Sequence, residues 1–541
     1  MLSFRLCSSD SGGAWRAFPG FLVSGSSQIV PFAHPALETV MVNSSTDLFC
    51  FIRERSARIN GPERALGISV NELTVVDDTT FESLVRELAH WPLQWHSLLV
   101  TGSGAGPLAM LNSGFWGTAP IFLVAEPGEL RGDWDASRLL PRLATSSLDP
   151  VRTARYLSEY ANPYARDTLF QGLGLLTERA RATWDGVNFN ITYPEAWPRP
   201  HASELREGAD PVGALIEILD ASIARWLDLP DLQVGIEVSG GLDSAFIASR
   251  VATSRANSRC YGVALIDGPE RGQDRRRAEI VERFGLVDTA IQMQQFLPLA
   301  PGSCRLDGSA PCLPWEEGYY ETFDALVKTA AAHGIEVLMT GFGGDELCGL
   351  RPSELRALRS GLGLPPPQSA ASVLAVPPPF LSPGARRTLA IELELPPRSA
   401  SSQSSIECAA FSAARYMRHG IWPVHPLCTP ELVHFCARLP PLWRYQRRIE
   451  REALARAGLS PNVTSPSHID NFVPAMVAAL RGPSQPILRK LFRSPALHDL
   501  SIVDRDALID SYDRWCQRGD DDDAVLYLAA AITELCLNAM N

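Results

Sequence analysis

Two short segments constrain this chain more than anything else in it. Val-Gly-Ile-Glu-Val-Ser-Gly-Gly-Leu-Asp-Ser (Val234 to Ser244) and Val-Leu-Met-Thr-Gly-Phe-Gly-Gly-Asp-Glu-Leu (Val337 to Leu347) are each an apolar run that breaks into a glycine-rich turn carrying an aspartate. Val234, Ile236 and Val238 alternate as a buried strand does. Gly240 and Gly241 allow a sharp turn and a close approach of bare backbone to a ligand. Ala245 to Arg255 reads as a helix whose N-terminus offers free N–H groups and a positive dipole end to a phosphate. Ser239 and Ser244 add hydroxyl donors. Turns of this kind lie at the carboxyl ends of parallel strands, where ligands bind, so the pair is expected to set Asp243 and Asp345 on either side of one nucleotide. A carboxylate repels a polyphosphate, and its sensible task is to hold a magnesium ion that bridges phosphate oxygens. No Gly-x-x-x-x-Gly-Lys-Ser/Thr occurs, which excludes a Walker-type site. Either motif alone is also compatible with an ordinary strand–turn–helix; the two together predict an ATP-using enzyme.

Ser239 to Ser244 resembles the pyrophosphate loop of the asparagine synthetase superfamily, and Thr340 to Glu346 resembles its second motif. The likeness continues through an apolar strand at Cys260 to Ile266, a charged helix at Glu270 to Gly285, the stretch Pro311 to Ala332, and the later segments Gly420 to Leu427 and Leu432 to Pro440. It covers about 210 to 480, and Tyr164 to Leu173 looks like the family segment just before the synthetase half. The resemblance implies an α/β protein with a degenerate glutaminase-like (Ntn-type) α+β sandwich at 1–205. A synthetase domain at 206–541 would follow, with the parallel sheet and helices of the adenine-nucleotide α-hydrolase-like, PP-loop class. It also implies the chemistry: a carboxylate is adenylated by ATP with magnesium, pyrophosphate leaves, and an amine then displaces AMP. On this resemblance Asp243 and Asp345 hold magnesium, and Val238, Ser239, Gly240, Gly241, Ser244, Val263, Thr340 and Gly341 surround the nucleotide.

Three departures narrow the choice. Glutamine-dependent members use a cysteine directly after the initiator Met; here that residue is Leu2, so glutaminase activity is not expected. Where asparagine synthetases carry a glutamate and β-lactam synthetases a tyrosine that helps deprotonate the amine, this chain has Phe342, which has no titratable group. The late loop Ser465 to Phe472 lacks the lysine that relatives use to stabilise the acyl-adenylate. His468 could replace it as a cation or base, or be a solvated loop histidine; Glu346 is the other candidate catalytic group. These losses resemble the lasso peptide cyclases, or macrolactam synthetases, which adenylate an Asp or Glu side chain of a precursor peptide and close an isopeptide bond with the peptide's own α-amine. An α-amine with a pKa near ~8 is partly neutral at physiological pH, which tolerates the loss of a strong base at Phe342. The branch implies a precursor peptide substrate, a leader peptidase and a leader-recognition protein as partners. A β-lactam-synthetase-like cyclase, an ammonia-fed asparagine synthetase and a catalytically dead ATP-binding scaffold are the alternatives.

The rest of the chain fits this frame. The 541 residues allow two or three domains. Lys and Arg number 49 against 61 Asp and Glu, and a net charge of −12 argues against a nucleic-acid partner. Eleven cysteines without Cys-x-x-Cys spacing argue against a disulfide framework or zinc site, and predict a reducing cytoplasm. No secretory segment or membrane-spanning apolar run is expected. Short apolar runs at Phe21–Val23, Leu48–Ile52, Ser97–Thr101 and Ile121–Ala125 predict strands, Phe81–Ala89 a helix, and Asp210–Trp226 a capped helix. Leu362 to Arg387, with two Pro-Pro-Pro runs, cannot be one helix. Ser399–Ser405 is expected to be flexible, Asp520–Asp523 a solvated loop, and Arg444–Arg448 a solvated helix face or a contact for an acidic peptide.

Overall fold

The computed structural model describes residues 1–10, 14–102, 108–160, 163–265, 272–365, 376–468, 470–518 and 520–540. The sequence expectations for Ile266, for Glu270 and Arg271, for 366–375 within the proline-rich stretch, and for Ile469 lie outside them.

As far as Thr192 the described strands form two seven-stranded sheets. From edge to edge, one runs Leu173–Leu176, Ile121–Glu126, Glu129–Asp133, Leu2–Cys7, Ser27–Pro31, Phe21–Ser24, Arg16–Phe18. The other runs Phe189–Thr192, Arg181–Trp184, Ala109–Ser113, Trp95–Val100, Leu48–Glu54, Leu37–Asn43, Leu73–Val75. Period-two alternation decides how they stack. Phe4, Leu6, Ile121 and Leu123 of the first sheet share a core with Cys50, Ile52, Leu98 and Leu111 of the second. The outer faces are covered by helices. Phe122, Val124, Leu173 and Leu175 lie under Ala154 and Leu157 of the helix Pro150–Glu159. Val40, Val42, Phe49 and Phe51 lie under Phe81, Leu84 and Leu88 of the helix Asp78–Leu88. The product is a helix–sheet–sheet–helix sandwich, the α+β architecture expected for this half. Covering both faces explains why Leu48–Glu54 is buried along its whole length. The helix expected from Phe81 starts at Asp78 because Asp77 caps it, accepting the Thr80 N–H at 2.9 Å.

The helix Pro211–Leu227 opens the second half, with Asp210 accepting the Gly213 N–H at 3.0 Å and proline in the first turn. Five parallel strands follow in the spatial order Val287–Gln292, Arg259–Ala264, Val234–Glu237, Val337–Met339, Trp422–Val424. The chain lays its first three strands outward on one side, then crosses back and adds two on the other. The order therefore reverses between Val234–Glu237 and Val337–Met339, and a crevice forms where successive connections diverge. Both glycine–aspartate turns leave from these two neighbouring strands, at the same end of the sheet.

A helical section completes this half and grips the first. Trp422 donates its indole N–H to Glu54 of the sandwich at 2.8 Å. Burial pushes the Glu54 carboxyl up to about 7. One helix among the described residues is long and apolar enough to cross a membrane, contrary to the sequence expectation: Asp521–Met540, with mean hydropathy 1.4. It packs against Val473–Arg481, Gln485–Arg493 and Pro150–Glu159, with 61% of its apolar window buried. Its apolar surface is thus a protein core.

Candidate active site

The first turn is tied into a tight loop. Gly240 adopts φ +93°, and a Cβ there would stand 3.1 Å from the Gln273 carbonyl. Ser244 Oγ accepts from the Ser239 N–H at 3.1 Å, and the Gly241 N–H donates to Ser239 Oγ at 3.2 Å. Gln273 braces the loop from behind, donating from Nε2 to the carbonyls of Ser239 and Val263, both at 2.9 Å. The helix begins at Leu242, three residues before its expected start, directly from Gly241 as N-cap. No side-chain cap delays it, so Asp243 and Ser244 sit in its first turn, where N–H groups have no partner within the helix.

The second turn packs onto the first. A Cβ at Gly341 would lie 3.0 Å from the Ser244 nitrogen, and one at Gly344 would collide with the Asp243 carboxylate. Glycine is required at these two positions by the approach of the motifs to each other. Thr340 Oγ1 bonds His425 Nδ1 at 2.7 Å, and the His425 ring stacks on Phe342 at 5.2 Å. Burial lowers the His425 pKa to about 3, so this imidazole is neutral. Val238 and Val263 have their side chains in the core of the sheet, which leaves the main chain to face a nucleotide.

Asp243 and Asp345 are brought together, and a cation lies between them. The Arg447 guanidinium pairs with Asp243, with Asp345 at 2.5 Å and with buried Glu450 at 2.5 Å. Gln446 and Arg447 both adopt left-handed backbone, at φ 50° and 58°, a strained arrangement for two consecutive non-glycine residues. That bend aims Arg447 inward. Arg444 is buried as well, bonding Glu354 at 2.7 Å and the Gly349 carbonyl at 2.8 Å. The basic run expected to be a solvated helix face is therefore structural in one residue and part of the site in another. Two carboxylates that share one cation are chemically suited to magnesium. Among the described residues no cluster of three or more His, Cys, Asp or Glu side chains offers a metal cage, so phosphate oxygens would complete the coordination.

Beside the second turn opens a cavity of about 480 Å³. Its walls include Tyr156, Tyr160, Trp315, Tyr319, Phe342 and Phe411, and its carboxylates are Glu316, Glu317, Glu407, Asp521 and Asp522. Among the described residues, no Lys, Arg or His lines it. Arg418 neutralises Glu316 at 2.8 Å and Arg415 neutralises Glu317 at 3.2 Å. Glu407 has no ion-pair partner among the described residues. Burial pushes its carboxyl up to about 7, opposed by the Tyr164 backbone N–H. It lies on the helix Gln403–Arg418, whose residues 407, 408, 411 and 412 share the face toward the cavity.

Sequence reasoning missed Glu407, because a lone glutamate in a helix carries no motif; its helical spacing to Phe411, which puts both on the cavity side, is the signal that could have found it. The run expected to be flexible at Ser399–Ser405 is fixed for the same helix. Ser402 caps it by accepting the Ser405 N–H at 3.1 Å, and Ser401 donates to the Cys428 carbonyl at 2.6 Å. Asp521–Asp523 forms a helical turn at the cavity rim instead of a free loop. Glu346 accepts from Ser404 at 2.6 Å and does not line the cavity. His468 is exposed and does not line it either. Its loop is nonetheless tied to the first turn, since Asp470 pairs with Arg276, which also donates to the Gly240 carbonyl.

A parallel sheet with two interlocked glycine–aspartate turns at its switch point defines an α/β nucleotide-binding domain. Residues 214–372 match the family model described as asparagine synthase, so this part of the chain is similar to that family. No curated protein matches the chain. Among solved structures, the U34-tRNA thiolase NcsA from Methanococcus maripaludis is similar at 12% identity and a TM-score of 0.24, over 57% of this chain and 81% of that one.

Proposed function

We propose that the protein is an ATP-dependent, AMP-forming carbon–nitrogen ligase that closes a macrolactam in a precursor peptide. The family match supports an ATP-using amide-forming ligase. The finer reading is carried by the cavity beside Phe342, which is aromatic and acidic and has no cation among its described lining residues. Such a cavity repels a free carboxylate and favours an ammonium group. It therefore suits the amine that attacks, with the activated carboxyl held at the turns.

ATP is consumed as a substrate. Ser239, Gly240, Gly241, Ser244, Thr340 and Gly341 frame its phosphates, with the main chain of Val238 and Val263 beside it. Asp243 and Asp345 would hold magnesium in place of the Arg447 guanidinium that pairs with them here, and magnesium when bound would offset phosphate charge, with Arg447 a second cation beside it. An Asp or Glu carboxylate of the peptide attacks the α-phosphorus, and the bond to pyrophosphate breaks. The peptide's α-amine then attacks the acyl carbon, and AMP leaves with the bonding electrons. Glu407 accepts the proton lost by the amine. Its pKa of about 7 lies near the ~8 of an α-amine, so the transfer is nearly balanced. In this reading Glu407 is the base where Phe342 offers none. A leader peptidase and a leader-recognition protein would supply the free amine, in a reducing cytoplasm consistent with the free cysteines.

The test of the reaction class is the nucleotide product. Enzyme, ATP, magnesium and an acceptable peptide should yield AMP and pyrophosphate; ADP and phosphate would refute adenylation.

A further inference from the structure

The acceptor cavity is not built by the synthetase half alone. The helix Pro150–Glu159 of the sandwich ends at Tyr160, which takes left-handed backbone at φ 50° and ψ 34°. A tyrosine in that conformation is uncommon, and strain of this sort persists where the surroundings enforce it. The bend turns the Tyr160 ring against Tyr156, with centroids 5.5 Å apart, and both rings line the cavity. The opposite wall is fitted to them. Tyr156 donates its hydroxyl to the Pro314 carbonyl at 2.5 Å, and a Cβ at Gly318 would stand 3.0 Å from the Tyr160 hydroxyl. Phe122 of the sandwich stacks on Trp315 at 5.5 Å. Arg418 holds Asp135 of the sandwich and Glu316 of the cavity, each at 2.8 Å. The Tyr164 N–H steadies Glu407.

We infer that the N-terminal sandwich selects the acceptor: Tyr160, with Tyr156 behind it, is the surface on which the primary ammonium group of the attacking peptide terminus docks. Aromatic faces next to carboxylates attract a desolvated cation. Tyr160 thus acts as a substrate-recognising residue contributed by the N-terminal sandwich. This rests on the ligase reading for the identity of the acceptor, but binding can be measured without turnover.

The probe is a short peptide with a free N-terminal glycine, compared with its N-acetylated twin, in equilibrium titration against the full chain. Wild type should bind the free-amine peptide at least about tenfold more tightly than the twin. Tyr160→Ala should erase that preference, and Tyr160→Phe, which keeps the aromatic face, should retain it. In turnover, Tyr160→Ala should keep forming AMP while the ratio of AMP to macrolactam rises about tenfold, because the unattended acyl-adenylate hydrolyses. Equal binding of the two peptides by wild type, or an undiminished preference in Tyr160→Ala, would overturn the inference. If wild type binds with the stated preference yet makes no AMP, the ligase reading fails and the Tyr160 site stands.

Discussion

The two glycine–aspartate turns and the aromatic cavity touch at Phe342, yet they are built in opposite ways. The turns are local. Each is a strand end and a few glycines, and contact between them depends on the absence of side chains at Gly341 and Gly344. The cavity is assembled from side chains of distant segments: Tyr156 and Tyr160, residues 314–319, Phe342, the helix Gln403–Arg418 and the head of the final helix. Architecture of the first kind tolerates little change, because an added Cβ meets the Ser244 main chain at Gly341 and the Asp243 carboxylate at Gly344. Side-chain architecture of the second kind is graded, and can alter acceptor preference without abolishing nucleotide chemistry.

That contrast orders the expected effects. Asp243→Asn and Asp345→Asn, which each remove a charged ligand oxygen, should lower turnover about a thousandfold with the fold intact by circular dichroism. Gly344→Ala should act as severely, because its methyl group meets the Asp243 carboxylate. Activity within tenfold of wild type in any of these would place the aspartates outside the reaction. On the cavity side, Glu407→Gln should reduce macrolactam formation about a hundredfold while AMP release continues. The carboxylate must be ionised to accept a proton and titrates near 7. Wild-type cyclisation should therefore rise with pH through about 7, and the Glu407→Gln profile should lose that rise. An unchanged profile would remove Glu407 from the mechanism. Arg447→Lys keeps the charge but loses the planar fork, and should raise the KM for ATP about tenfold with little change in kcat at saturation.

A separate effect, on stability, concerns the seam between the halves. Glu54 has a folded pKa of about 7 against an ordinary 4.5. Between those values the folded state holds a proton that the unfolded state has released, so this group's contribution falls as pH rises from about 4.5 to about 7. Glu54→Gln should make the decline in unfolding free energy over that window shallower by up to about 3 kcal/mol. A parallel decline would mean that Glu54 is ionised in the folded protein.

The same contrast governs what the amino-acid sequence discloses. Glycines required by backbone approach are written into a few adjacent positions, so the paired turns, their strands and the Asp210 cap were legible. Arg447 was not, since its direction depends on two left-handed residues that no local pattern specifies. Glu407 and Tyr160 were not, since each gains its role from burial against elements far away in the chain. The serines at 401, 402 and 405 read as polar low complexity, while in the fold they cap a helix and bond the Cys428 carbonyl.

The most direct measurement of the central claim is the mass of the product. The enzyme should be given ATP, magnesium and a leaderless peptide with a free N-terminal glycine and an Asp or Glu several residues in. The account predicts a product lighter by one water, resistant to ring opening, formed with AMP, and absent when the N-terminus is acetylated. Loss of water from the acetylated peptide, or acceptance of a small amino acid only, would contradict it.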